Sequence, residues 1–121
     1  MAGTPEILAV NHVIAVVGLS DKPSRPSHEV SDYMKSHGYH IIPVNPNLMT
    51  PVLGEQPYPD LESVSEKIDI VNVFRNADLV IPIVESAIGI GAKVIWMQKG
   101  IVNQEAAELA EGAGLIVIMD K

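Results

Sequence analysis

The fold is decided by Val13-Ile14-Ala15-Val16-Val17 followed by Gly18-Leu19-Ser20-Asp21-Lys22-Pro23-Ser24-Arg25-Pro26-Ser27. The first five residues form a continuous apolar run rather than an alternating one, the pattern of a central strand covered on both faces. The ten that follow are rich in helix and strand breakers and read as a loop. A helix is expected to start near Ser24 to Ser27 and run to His37, with Gly38 as its stop.

Beyond this unit the same alternation continues. Strands are expected at Tyr39–Val44, Ile68–Val73, Lys93–Met97 and Leu115–Met119, and helices at Leu61–Lys67, Asp78–Ile88 and Asn103–Glu111. Pro82 lies inside the second of these helices and can mark its real start. A short leading helix is expected over Met1–Ala9, with Thr4 as cap and Pro5 at its first position. The stretch from Asn47 to Asp60 carries Pro51, Gly54, Pro57 and Pro59 and reads as a structured excursion pinned by Val52, Leu53 and Tyr58. Strand and helix in alternation predict an α/β, doubly wound, mostly parallel five-stranded Rossmann-like sheet, in the order 3-2-1-4-5. At 121 residues the chain is one domain, 1–121, with no linker or internal repeat.

Composition excludes several classes of function. The sequence holds no cysteine, so disulfides, thiolate catalysis and cysteine-ligated zinc are out. Fifteen acidic residues against eight basic ones give a net charge of -7, which weighs against nucleic acid and anionic membrane surfaces as partners. No apolar run is long enough to span a bilayer, and the first ten residues lack the pattern of a signal peptide. The cytoplasm is therefore the expected compartment.

A doubly wound sheet binds its ligand beyond the carboxyl ends of the strands, at the switch point beside strand one. That places the Gly18–Ser27 loop in the site. Gly18 allows close backbone approach. Ser20, Ser24 and Ser27 bring hydroxyls, and Lys22 and Arg25 bring positive charge, over a helix N-terminus whose free N–H groups attract phosphate. The alternative is a solvated loop whose serines cap a helix. Neither G-x-G-x-x-G nor G-x-x-x-x-G-K-[ST] occurs, so a dinucleotide fingerprint and Walker-type ATP hydrolysis are unsupported. Asn45, at the end of strand two, stands where an NAD site wants an acid, and leans away from NAD toward a ribose bearing an extra phosphate. Asn-Pro-Asn at 45–47 can equally be a plain turn. Phe74 and Arg75 follow strand three into the same region, where Phe74 either covers a ligand or closes the core. Trp96 reads as core, while Gln98, Lys99 and Gly100 are weaker ligand-facing candidates. The four histidines form no catalytic array, and no Ser-His-Asp order, paired-carboxylate site or metal motif is visible.

The loop Val17–His28 resembles that of the small bacterial and archaeal CoA-binding proteins, single-domain relatives of the nucleotide-binding domain of succinyl-CoA synthetase and of ADP-forming acyl-CoA synthetase. The resemblance continues through Gly38-Tyr39, Ile42-Pro43-Val44-Asn45-Pro46, Gly54-Glu55, Asp69–Arg75, Trp96–Ile101, Ala113-Gly114-Leu115 and Met119-Asp120-Lys121, and so covers essentially the whole chain. It implies a Rossmann-like fold that binds coenzyme A or an acyl-CoA through its nucleotide portion, without catalysis of its own. It also implies ligand contacts near Ser20, Lys22, Arg25, Ser27, Asn45, Pro46, Phe74 and Arg75, and together with the reading of the loop and the strand ends the expected ligand-binding residues include Gly18, Leu19, Pro26 and Gln98 as well. The larger synthetases use a phosphohistidine from a separate domain that is not found here, and relatives commonly carry a cysteine and a basic tail past the Met119-Asp120 motif. Two other readings stay open: a nucleotide-dependent enzyme or synthetase-like fragment, and a CoA-responsive regulatory protein. The expected partner is a small nucleotide ligand. A homodimer or a protein partner is also open, for which the apolar Ile88-Gly89-Ile90-Gly91 segment is one candidate surface.

Overall fold

The computed structural model describes residues 12–98 and 100–119. The leading helix expected over Met1–Ala9, together with Lys99, Asp120 and Lys121, lies outside them. The strands are β1 (Val13–Val17), β2 (His40–Val44), β3 (Ile70–Val73), β4 (Val94–Met97) and β5 (Ile116–Met119). The helices are α1 (Pro26–Ser36), α2 (Val80–Gly89) and α3 (Gln104–Gly112), with a single 3-10 turn at Ala77–Leu79 leading into α2.

All five strands run parallel in one sheet, ordered β2-β1-β3-β4-β5. The doubly wound class is as expected from the sequence, but the order 3-2-1-4-5 is corrected at one place. β3 pairs with β1, not with β2. The physical reason is Pro43, which sits inside β2 opposite Val16 and has no N–H to offer a second neighbour. β2 is therefore an edge strand, and β3, buried at all four positions, takes an interior place. Among the described residues a single bridge lies beyond β2, from Val44 to Tyr58, whose N–H donates to the Pro43 carbonyl at 2.9 Å.

Successive strand residues face opposite sides of the sheet, and two apolar cores result. On one face Ala15, Val17, Val71, Val73, Ile95 and Met97 pack with Val80, Val84 and Ala87 of α2 and Ala106, Ala107 and Ala110 of α3. The alanines let α3 lie close to its neighbours. On the other face Ile14, Val16, Ile70, Val94 and Trp96 pack with Met34 of α1, Leu19 and Val52. α1 turns Ser27, Ser31 and Met34 inward at i, i+4, i+7 spacing, and the Ser31 hydroxyl is satisfied by the Ser27 carbonyl at 2.7 Å.

The helix expected over Leu61–Lys67 is a turn instead. The Asp60 carboxylate accepts the Ser63 N–H at 2.8 Å, and the Ser63 hydroxyl donates to the Asp60 carbonyl at 2.9 Å. These local bonds close one turn, and side-chain bonds of this kind compete with continuation of the helix. The preceding excursion is held as the sequence suggested. Val52 is buried in the second core with Leu53 against it, and Tyr58 packs on the first.

At the amino ends of the strands two side chains tie the sheet together. The Asp69 carboxylate accepts the N–H groups of His12 and Val13 at 3.2 and 3.1 Å. His40 is held at both ring nitrogens, Nδ1 by Glu66 at 2.8 Å and Nε2 by Glu55 at 3.2 Å. Burial opposes charge on His40, but the bonds from Glu55 and Glu66 outweigh it and hold its pKa above the ordinary histidine value. This histidine therefore fastens the excursion and the segment before β3 to the start of β2.

Candidate functional site: a cationic cleft at the carboxyl edge

β1 leads by way of α1 outward to β2, and β3 leads the other way to β4 and β5. The topological switch point thus falls between β1 and β3. The strands end in register, with Val17 opposite Val44 and Val73, and Val73 opposite Met97. Gly18, Asn45 and Phe74 are consequently neighbours just past a common edge.

Gly18 is the tightest point of the site. Its φ is +91°, and a Cβ placed there would lie 2.5 Å from the Phe74 carbonyl oxygen. Its N–H donates to Val44 at 2.8 Å, while the Phe74 N–H donates to Val17 at 2.9 Å. The glycine is required because the turn after β1 passes directly under the turn after β3.

The loop then folds on its own hydroxyls. Ser27 Oγ accepts the Ser20 N–H at 3.0 Å, and Ser20 Oγ accepts the Lys22 N–H at 3.1 Å. Asn45 reaches across, donating from Nδ2 to the Leu19 carbonyl at 3.1 Å and accepting the Asn47 N–H on Oδ1 at 3.0 Å. α1 begins with Pro26 at its first position, and Arg25 before it is extended, as a residue preceding proline must be. No side chain caps this helix. Its N-terminal end, with the partial positive charge of the helix dipole, therefore opens toward the loop.

The result is a cleft of about 500 Å³ lined by Gly18, Ser20, Lys22, Arg25, Pro26, Ser27, Asn45, Phe74 and Arg75. Three cationic side chains and a helix N-terminus converge on it in a chain of net charge -7. Such a cleft attracts a polyanion, with Arg25 and Arg75 able to fork onto phosphate oxygens and Lys22 acting as a point charge. Phe74 serves both roles weighed for it, since it is half-buried against the second core and also lines the cleft.

The other expected contacts lie off this cleft. Leu19 is fully buried in the core, and only its carbonyl is used. Gln98 is buried and its side-chain amide donates to Asn72 Oδ1, which leaves it turned inward. Pro46 lines a second, apolar cavity of about 190 Å³, bounded also by Val17, Val44, Leu61, Pro82 and Ile83. Sequence reasoning missed that cavity. The only signals were Pro46, Pro59 and Pro82, spread over three segments whose proximity follows from the strand order. Among the described residues no cluster of His, Asp or Glu could hold a metal, and no helix is long and apolar enough to cross a membrane.

Fold and cleft together define a Rossmann-like α/β domain with an anion-attracting site at its switch point. The chain belongs to the CoA binding domain family, whose profile matches residues 12–121. It is 45% identical over 115 residues to the uncharacterized protein YneT of Bacillus subtilis (strain 168), a match that spans 95% of this chain and 84% of the relative. A solved structure of a hypothetical protein from Pyrococcus horikoshii OT3 superposes with a TM-score of 0.92 at 41% identity, over 97% of this chain and 82% of that one. The fold also recurs in the dinucleotide-forming acetyl-coenzyme A synthetase 1 of Ca. Korarchaeum cryptofilum, with a TM-score of 0.79 at 23% identity, over 93% of this chain and 27% of that one.

Proposed function

We propose that this chain is a cytoplasmic protein that binds coenzyme A, or an acyl-CoA, through the nucleotide portion of the ligand and performs no chemistry of its own. The observation that carries the reading is the convergence of Lys22, Arg25, Arg75 and the uncapped N-terminus of α1 on one cleft. Coenzyme A bears a diphosphate and a 3'-phosphate, and such a charge load matches three cations better than the two-charge diphosphate of NAD does. Asn45 supports the same choice, because an amide at the end of β2 does not repel a phosphorylated ribose. Membership of the CoA binding domain family points the same way.

Calorimetry with CoA, acetyl-CoA, NAD and NADP tests it. CoA is expected to bind saturably, more weakly as salt rises, and NAD to bind least. The double change Lys22→Ala and Arg25→Ala is expected to weaken CoA by about tenfold or more, and dephospho-CoA by less where these side chains meet the 3'-phosphate. A folded protein that takes up no CoA refutes the proposal. Light scattering with and without CoA reads out a homodimer or an assembly with a partner.

A further inference from the structure

The loop after β1 holds back most of its backbone donors. The N–H groups of Gly18, Ser20, Lys22 and Arg25 bond to Val44, Ser27, Ser20 and Lys22 at 2.8, 3.0, 3.1 and 3.0 Å, and Pro23 and Pro26 have none. An anion in the cleft therefore meets charged side chains more than a cradle of backbone N–H groups. Side chains as long as lysine and arginine converge only if the backbone that carries them is fixed.

One peptide unit does the fixing. The Leu19 carbonyl accepts from Asn45 Nδ2 at 3.1 Å, and the Ser20 N–H donates to Ser27 Oγ at 3.0 Å. These are the two ends of the same peptide group, and in a trans peptide they point in opposite directions. The Leu19–Ser20 plane is thus held from both sides, by the end of β2 and by the first turn of α1. The Leu19 side chain is fully buried, which pins the Cα on which the plane turns. Both holders are themselves held. Asn45 donates its N–H to Tyr58 at 2.8 Å and accepts the Asn47 N–H on Oδ1 at 3.0 Å, which sets the rotation of its amide. Ser27 is 5% exposed, at the foot of α1. From the clamped peptide the bonds run on to the cations: Ser20 Oγ accepts the Lys22 N–H, and the Lys22 carbonyl accepts the Arg25 N–H.

We propose that Asn45 and Ser27 are positioning residues: together they clamp the Leu19–Ser20 peptide and so aim Lys22 and Arg25 into the cleft, acting on an anion through those two cations. The inference rests on the coenzyme A reading for the identity of the ligand, whereas the clamp itself needs only a diphosphate in the cleft. It gives Ser27 and Asn45 a role other than the direct ligand contact expected of them. It also explains how Leu19, whose side chain meets no ligand, belongs to the site.

Calorimetry on the intact chain tests it, with CoA and with inorganic diphosphate as probes, each at low and at high salt. Fluorescence of Trp96 checks that every variant is folded. Ser27→Ala frees one side of the peptide and Asn45→Ala the other, so either serves where its counterpart does not fold. Each is expected to weaken both probes by about tenfold at low salt. Each is also expected to lose less further affinity than wild type as salt rises, because misaimed cations make weaker ion pairs. A role in folding alone leaves that salt dependence unchanged. Ser27→Thr, which keeps the hydroxyl, is expected to bind within about threefold of wild type. Added to Lys22→Ala with Arg25→Ala, Ser27→Ala is expected to cause no further loss, since the groups through which it acts are gone. A Ser27→Ala loss that is undiminished in that background, or equal at low and high salt, overturns the inference by making Ser27 a direct contact. Wild-type affinity in both single variants overturns it as well. A folded wild-type protein that takes diphosphate but not CoA sinks the coenzyme A reading and leaves the clamp to be decided by the diphosphate series. One that takes neither sinks both.

Discussion

Replacing Gly18 with alanine is the sharpest test of how the site is built. Two costs add. An L-residue at φ +91° carries about 1–2 kcal/mol of backbone strain. The new Cβ would also stand 2.5 Å from the Phe74 carbonyl oxygen, and must retreat by about 0.9 Å to reach ordinary contact at 3.4 Å. That retreat pulls on the two bonds that hold the turns together, Gly18 N–H to Val44 and Phe74 N–H to Val17. Loss of one, with its buried group left unpaired, costs about 1–3 kcal/mol. Alanine's smaller unfolded-state entropy returns less than about 1 kcal/mol. The net loss expected is about 2–4 kcal/mol, a large part of a small domain's stability. Gly38→Ala is the control, because its φ is +94° yet nothing lies within 4 Å of its Cβ position. It carries the strain without the collision and is expected to lose about 1 kcal/mol. Urea unfolding, followed by the fluorescence of the single tryptophan, buried Trp96, measures both. Losses equal within about 0.5 kcal/mol would refute the argument that the β1 and β3 turns meet at Gly18.

Two further predictions concern the supports of the site. His40 has a raised pKa in the folded chain, so the stability it contributes is full below the unfolded histidine value and fades as pH rises through the folded value. Thermal melts between pH 5.5 and 8.5 should therefore show wild type losing stability relative to His40→Gln as pH rises, and a pH-independent difference would show that the Glu55 and Glu66 bonds carry no charge on the ring. Asn103 caps α3, its Oδ1 accepting the Ala106 N–H at 3.0 Å, and also holds the turn after β3 by donating from Nδ2 to Ala77 at 2.7 Å. Asn103→Ala is expected to cost about 1–2 kcal/mol, and Asn103→Asp, which keeps only the cap, an intermediate amount; denaturant melts that find Asp as good as Asn would remove the role given to the Ala77 bond.

Much of this fold is legible in the sequence because its signals are local. The apolar runs give five strands, Pro26 and Gly38 bracket α1, and Asn103 caps α3. The anion loop is legible for the same reason, since Lys22, Arg25, Ser20 and Ser27 lie within eight residues of one another. What is not local was harder to read. Leu19 sits between two site residues in sequence and Gln98 follows the carboxyl end of β4, yet one points into the core and the other is taken up by the Asn72 side chain. The turn at Asp60–Val64 competes with a helix by side-chain bonds of a few residues' reach, and propensity alone does not resolve that competition.

Strand order had the largest consequence for the site, and one residue settles it. With β2 placed between β1 and β3, the order expected from the strand pattern, Phe74 and Arg75 would stand two strands from Gly18 and the cleft would have only Lys22 and Arg25. Pro43 works against that arrangement, because an interior parallel strand offers both N–H and carbonyl groups to each of its neighbours, and the N–H missing at Pro43 would leave a gap in the second ladder. Moving β3 to the far side of β1 brings Arg75 beside Gly18, its Cδ 3.4 Å from the Cβ position there, and makes a third cation part of the cleft. The same move places the start of α2 over the ends of β1 and β2, where Pro82 and Ile83 close the apolar cavity. A proline that lines neither space thus bears, through hydrogen-bond supply in the sheet, on which charged and which apolar groups stand at the carboxyl edge.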